Sequence, residues 1–227
     1  MTAILEKILA KSADRFLFWI GFVNYFQCRQ VAEIGVHEGV FSEKLLLECE
    51  SIRKYYMIDP WRKLDDWNKP LNVSNRHFEE AYNKMLHKTS FAKDKINVLR
   101  GKTSEVINEI DDGFLDFAYI DGDHTLKGIA IDLIAVFPKV KAGAFIGGDD
   151  FSENIWQHPS PYEPTLVFPY AIYFAEAVDC PIYALPNNQF LVCKKKGFNF
   201  YNISGKHYKM GLLHQFEKLH EKNSTSK

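Results

Sequence analysis

Apolar residues along this chain fall into two alternating textures. Short, nearly unbroken apolar runs appear at QVAEIGV (30–36), YYMID (55–59), INVLRG (96–101), LDFAYID (115–121) and AGAFIGGDD (142–150). Between them lie stretches in which apolar positions recur every three or four residues: VFSEKLLLECE (40–50), HFEEAYNKMLHK (77–88), TSEVINEI (103–110) and LKGIAIDLIAVFPKV (126–140). The first texture predicts strands buried on both faces, the second amphipathic helices. Thr103 or Ser104 is expected to cap the helix over 103–110, and Pro169 to kink or restart one over 164–178. CPIYAL and QFLVCKK flank Pro186-Asn187-Asn188, a hairpin signal.

Strand alternating with helix predicts an α/β fold: a Rossmann-like, doubly wound, mostly parallel sheet of seven strands, closed by an antiparallel C-terminal hairpin. Three segments follow. Residues 1–30 form an N-terminal helical segment with a dense aromatic run, which offers a surface for a homo-oligomer. Residues 31–195 form the ligand-binding domain, and 196–227 a C-terminal tail with an amphipathic helix from Gly205.

Composition narrows the function. A hydrophobic share of 46% with 25% charged residues is that of an ordinary globular chain, and a formal net charge of −1 gives no electrostatic case for nucleic acid. The apolar run RFLFWIGFVNYF (15–26) is too short to span a bilayer. Cys28, Cys49, Cys180 and Cys193 are scattered without metal-ligand spacing and are read as free thiols. A cytoplasmic location with no membrane partner is expected.

The strand ends carry the chemistry. In open α/β sheets ligands bind beyond the carboxyl ends of the strands, where strand order reverses. Here those ends hold Glu33 to Gly39, Asp59, Gly101 to Ser104, Asp121 to His124, and Gly148 to Asp150. Asp59 follows Gly39 by twenty residues, the spacing at which a carboxylate accepts ribose hydroxyls. The loop EIGVHEG lacks the middle glycine of a dinucleotide fingerprint, and Glu38 would repel a diphosphate. Glu33 suits a cationic ligand instead, which disfavours an NAD-type oxidoreductase.

Through VAEIGVHEGVFSEKL, YYMIDP, LRGKTSEVI, AYIDGDHTLKG and AGAFIGGDDF, roughly Val31 to Lys195, the chain resembles the class I S-adenosylmethionine-dependent methyltransferases. The resemblance implies S-adenosyl-L-methionine as cofactor. Glu33, Gly35 and Gly39 would then line its methionine part, Asp59 its ribose, and Lys102, Thr103 and Ser104 its adenine, with Asp121 also in contact. Asp121, Asp149 and Asp150 would repel one another without a cation, and a hard divalent ion removes that conflict. The pattern resembles metal-dependent O-methyltransferases of the catechol, caffeoyl-CoA and natural-product sugar types, which implies Mg²⁺ on these three carboxylates.

His124 stands three positions after Asp121, where the catechol and caffeoyl-CoA enzymes carry a lysine. As an imidazole it is the expected base, acting with Asp121. Lys127 is a weaker alternative, and Asp123 is read as support or a cofactor contact. Trp61, Arg62, Trp67, Trp156, His158 and Tyr162 lie in the two long loops expected to receive a small-molecule acceptor. A sugar or natural-product hydroxyl is the expected acceptor, with metal-independent N- or O-methylation as the alternative.

Overall fold

The computed structural model describes residues 1–206. Five strands lie parallel in the order β3 (Ile96–Arg100), β2 (Lys54–Asp59), β1 (Gln30–Ile34), β4 (Leu115–Ile120) and β5 (Val140–Gly148). The sheet continues through β7 (Gln189–Cys193), antiparallel to β5, then β6 (Ile182–Leu185) and β8 (Phe200–Asn202). The doubly wound topology and the hairpin are as expected, but the strands number eight, not seven. The extra one is β8, which runs parallel to β6 inside the span expected to be a helical tail. The helix expected from Gly205 falls outside the described residues from 207 onward.

Side chains alternate between the two sheet faces, as strand geometry requires. Val31, Tyr55, Met57, Phe117 and Tyr119 meet one helical layer, made by α1 (Thr2–Leu9), α2 (Arg15–Phe26), α3 (Val40–Glu48) and α4 (Asn75–Thr89). Ala32, Ile34, Ile58, Ala118 and Ile120 meet the other, built from α5 (Thr103–Val106), α6 (Leu126–Lys139) and α7 (Val167–Ala177).

The N-terminal segment is two helices, because Asp14 starts a new one by accepting the Leu17 N–H at 2.9 Å. Its aromatic side chains cover the sheet of their own chain. Trp19 stacks on Phe117 with ring centroids 5.1 Å apart, and Phe22 meets Phe145 at 5.0 Å. Gly147 makes the Trp19 contact possible, since a Cβ there would collide with the indole. Pro169 falls in the first turn of α7, where a missing N–H removes no helix bond, so it causes no restart. Lys102, rather than Thr103 or Ser104, is the N-cap of α5, and Glu105 reaches back to its N–H at 2.9 Å. Among the described residues no helix is long and apolar enough to cross a membrane.

Candidate active site

Strand register brings the site residues to one level. Ile34 pairs with Ile58 and Ile120, Asp59 with Arg100, and Ile120 with Gly148. The next residues along the chain therefore emerge side by side at the point where strand order reverses between β1 and β4. Gly35, at φ 85°, crosses so close to Asp121 that a Cβ would strike its carbonyl.

A cavity of about 350 Å³ opens there, within the size range of ligand pockets. Gly35, Asp59, Lys102, Thr103, Ser104 and Asp121, six of the expected cofactor positions, line it. Glu33 and Gly39 do not. Glu33 shares the face of Val31 and points into the helical layer, where its Oε2 accepts from Ser42 Oγ and from the Tyr55 hydroxyl at 2.7 Å. Burial pushes its carboxyl up to about 8 against those two hydrogen bonds, so at neutral pH it offers no full charge to an ammonium group. Gly39 is required for a left-handed turn, φ 71°, packed on Met85.

Asp59 organises the end of the cavity beyond β2. Its Oδ2 accepts the N–H groups of Val36 (3.0 Å) and His37 (2.9 Å), and its Oδ1 that of Trp61 (2.8 Å). Burial raises its pKa, opposed by these three bonds. The Trp61 indole donates to the His37 carbonyl at 2.8 Å and packs on Tyr82, so Trp61 is a core residue and not part of the loop surface expected to receive the acceptor. Trp67 does line the cavity, and its indole N–H is sealed from solvent with no partner. Asp132, on α6, also lines the cavity, and burial pushes it up to about 7.

The other end is ionic. Arg15, at the start of α2, contacts Asp149 Oδ2 and lies 3.4 Å from Asp121 Oδ2. His124 Nδ1 lies 2.5 Å from Asp150 Oδ2, and its Nε2 is 3.4 Å from Asp121 Oδ1 without hydrogen-bond geometry. Gln189 donates to Asp149 Oδ1 at 2.5 Å, while its carbonyl oxygen accepts from Trp19 Nε1 and the Tyr119 hydroxyl, both at 2.8 Å. Asp149 Oδ1 also receives the Asp150 N–H at 2.8 Å. Asp121, Asp149 and Asp150 thus converge as expected, but with a guanidinium and an imidazole among them. Among the described residues no three His, Cys, Asp or Glu side chains are arranged to hold a metal. With Asp149 held by Arg15, Gln189 and the Asp150 N–H, Arg15 also beside Asp121, and Asp150 facing His124, the set in this arrangement does not fit Mg²⁺.

His124, the expected base, lies between two carboxylates. Burial alone would lower its pKa, but Asp121 and Asp150 outweigh burial and push it up to about 10. In this arrangement the protonated imidazole is favoured, which does not support the expected part as base. Lys127 reaches Asp66 at 2.6 Å across the cavity mouth, and Asp123 accepts the Thr125 N–H at 2.9 Å in a local turn.

The two long loops are tied together. Lys69 donates to the Glu163 carbonyl (2.9 Å) and to Thr165 Oγ1 (3.1 Å), and Asn68 Nδ2 to the Pro161 carbonyl (2.8 Å). His158 and Tyr162 lie in the second of these joined loops, with ring centroids 6.2 Å apart, and Trp156 is exposed. Arg62 instead pairs with Glu105 at 2.7 Å.

Arg15, Gln189, Lys69 and Asp132 were not anticipated. The one signal for Arg15 was a charge at the head of an otherwise apolar helix, and for Gln189 a polar residue opening a buried strand.

No curated protein matches by sequence. Among solved structures, a putative caffeoyl-CoA O-methyltransferase from Staphylococcus aureus is similar at TM-score 0.60 and 13% identity, covering 84% of this chain and 90% of that one. An O-methyltransferase from Bacillus cereus in complex with SAH aligns at TM-score 0.56 and 16% identity, over 85% and 91%. TomG from Streptomyces achromogenes, an O-methyltransferase involved in tomaymycin synthesis and solved with SAM, aligns at 0.55 and 15%, over 82% and 81%. Residues 32–151 match the family described as Methyltransferase domain. The chain belongs to that family, on the class I S-adenosylmethionine-dependent methyltransferase fold.

Proposed function

We propose that this chain transfers a methyl group from S-adenosylmethionine to a hydroxyl of a small molecule, without magnesium. The observation that carries the reading is the shared level of Gly35, Asp59 and Asp121 around one cavity. Gly35 lets the backbone approach the ligand closely, Asp59 has lone pairs left for ribose hydroxyls, and Lys102 to Ser104 with Trp67 border the base. When bound, the cofactor supplies an electrophilic methyl group on a sulfonium.

Asp121 is the carboxylate that faces both the cavity and the ionic cluster. It accepts the proton of the acceptor hydroxyl as the oxygen–carbon bond forms and the carbon–sulfur bond breaks, with the electron pair left on sulfur. Positioned proton transfer of this kind contributes about 10²- to 10⁴-fold. Arg15 and His124 hold Asp121 in place. The roof tied by Lys69 borders the acceptor side, where a sugar or phenolic hydroxyl fits the aromatic residues present.

Titration calorimetry with S-adenosylhomocysteine and with NADH tests the cofactor, and labelled methyl transfer to a panel of phenols and sugars tests the reaction. Binding of the homocysteine nucleoside alone is expected. Binding of NADH alone would overturn the reading.

A further inference from the structure

We propose that Arg15 is the built-in counter-ion of the Asp121–Asp149 pair, filling by side chain the place that a divalent cation would otherwise take. The inference stands on charge geometry and does not depend on the proposed methyl transfer. Converging carboxylates need positive charge close by, and a metal ion supplies it only if their lone pairs are free. Here those of Asp149 are engaged. Asp149 gives one oxygen to Arg15 and the other to Gln189 and the Asp150 N–H. Asp121 lies between Arg15 and His124, and Asp150 faces His124.

Arg15 is also located with little freedom. The Asp14 cap fixes the start of its helix, the guanidinium lies 5.1 Å from the Phe16 ring centroid, and Trp19, one turn on, hydrogen-bonds to the same Gln189 that holds Asp149. Helix α2 therefore reaches Asp149 twice, once through charge and once through an amide. Arg15 acts as a positioning residue for these carboxylates.

The test is Mn²⁺ binding, read by electron paramagnetic resonance and calorimetry, on wild type, Asp149→Asn, Arg15→Ala, Arg15→Lys and Arg15→Ala/Asp149→Asn. Wild type and Arg15→Lys are expected to bind Mn²⁺ only weakly. Arg15→Ala should bind at least about tenfold tighter, and the double variant should lose that gain. A purely structural arginine would not create a metal site when removed. Tight Mn²⁺ binding by wild type that Asp149→Asn abolishes would overturn the proposal, as would a folded Arg15→Ala with no gain. If Arg15→Ala does not fold, the wild-type and Arg15→Lys titrations decide by themselves. S-adenosylhomocysteine binding, measured on each chain, reports the nucleoside end separately, so failure here is distinguishable from failure of the methyltransferase reading.

Discussion

The two ends of the crevice hold their carboxylates in different ways. At the proposed nucleoside end, Asp59 is fixed by backbone N–H groups from residues close to it in sequence or on the neighbouring strand's loop. At the proposed transfer end, Asp121, Asp149 and Asp150 are fixed by side chains from α2 and β7 and by His124, with Arg15 and Asp121 106 positions apart in the chain. Backbone capture makes a rigid acceptor that any sequence with the right turn can build. Side-chain capture makes a charge balance that depends on distant elements docking correctly.

The largest effect expected from breaking this contrast comes from Asp59→Ala. It leaves three N–H groups of a buried loop without their acceptor, at about 1–3 kcal/mol for each group left unsatisfied. Affinity for S-adenosylhomocysteine should fall by about 100-fold or more, with a clear drop in melting temperature; unchanged calorimetry would deny Asp59 its part. Asp121→Asn should act on the other end. It should lower kcat by about 10²-fold while changing nucleoside affinity far less, and equal losses in both would mean that the two ends are not separate. Lys69→Met unties the roof. It should raise the KM for an acceptor about threefold to tenfold, in line with the loss of one or two hydrogen bonds to a charged group, and leave nucleoside binding unaltered.

The smallest effect on binding is expected from Glu33→Gln, because Glu33 faces the helical layer and not the cavity. Its signature lies in pH dependence. With a folded pKa of about 8, raised above the ordinary carboxylate value, the wild-type carboxyl contributes stability fully at low pH. That contribution declines as pH rises toward 8. Thermal melts from pH 4.5 to 9 should therefore show wild type losing ground to Glu33→Gln across this window. A constant gap would place the Glu33 titration elsewhere.

Much of the molecule was legible in sequence because its signals are local. Five apolar strands separated by helical periods specify a parallel sheet, and the polar residue at each strand end marks the crevice. The eighth strand was not legible, since Phe200–Asn202 is short and carries no fully buried residue. Glu33 could have been placed by period-two reasoning: it shares the face of Val31, and Ile34, on the opposite face, lines the cavity. Arg15 and Gln189 could not. Nothing near either residue says which carboxylate, more than a hundred positions or some forty positions away, it will meet. For the same reason three aspartates at neighbouring strand ends read in sequence as a demand for metal, with no sign of the Arg15 guanidinium that lies beside two of them.

The seat of Trp19 against Gly147 has a consequence for the geometry of α2 as a whole. A ring lodged in a notch that admits no side chain works as an indexing pin. Sliding the helix by one residue would turn it by roughly 100°, pull the ring from its slot and swing Arg15 away from the aspartates. Position 147 thereby sets both the rotation and the height of α2, and an added methyl group there would misalign a charge at the opposite end of the helix turn without touching it.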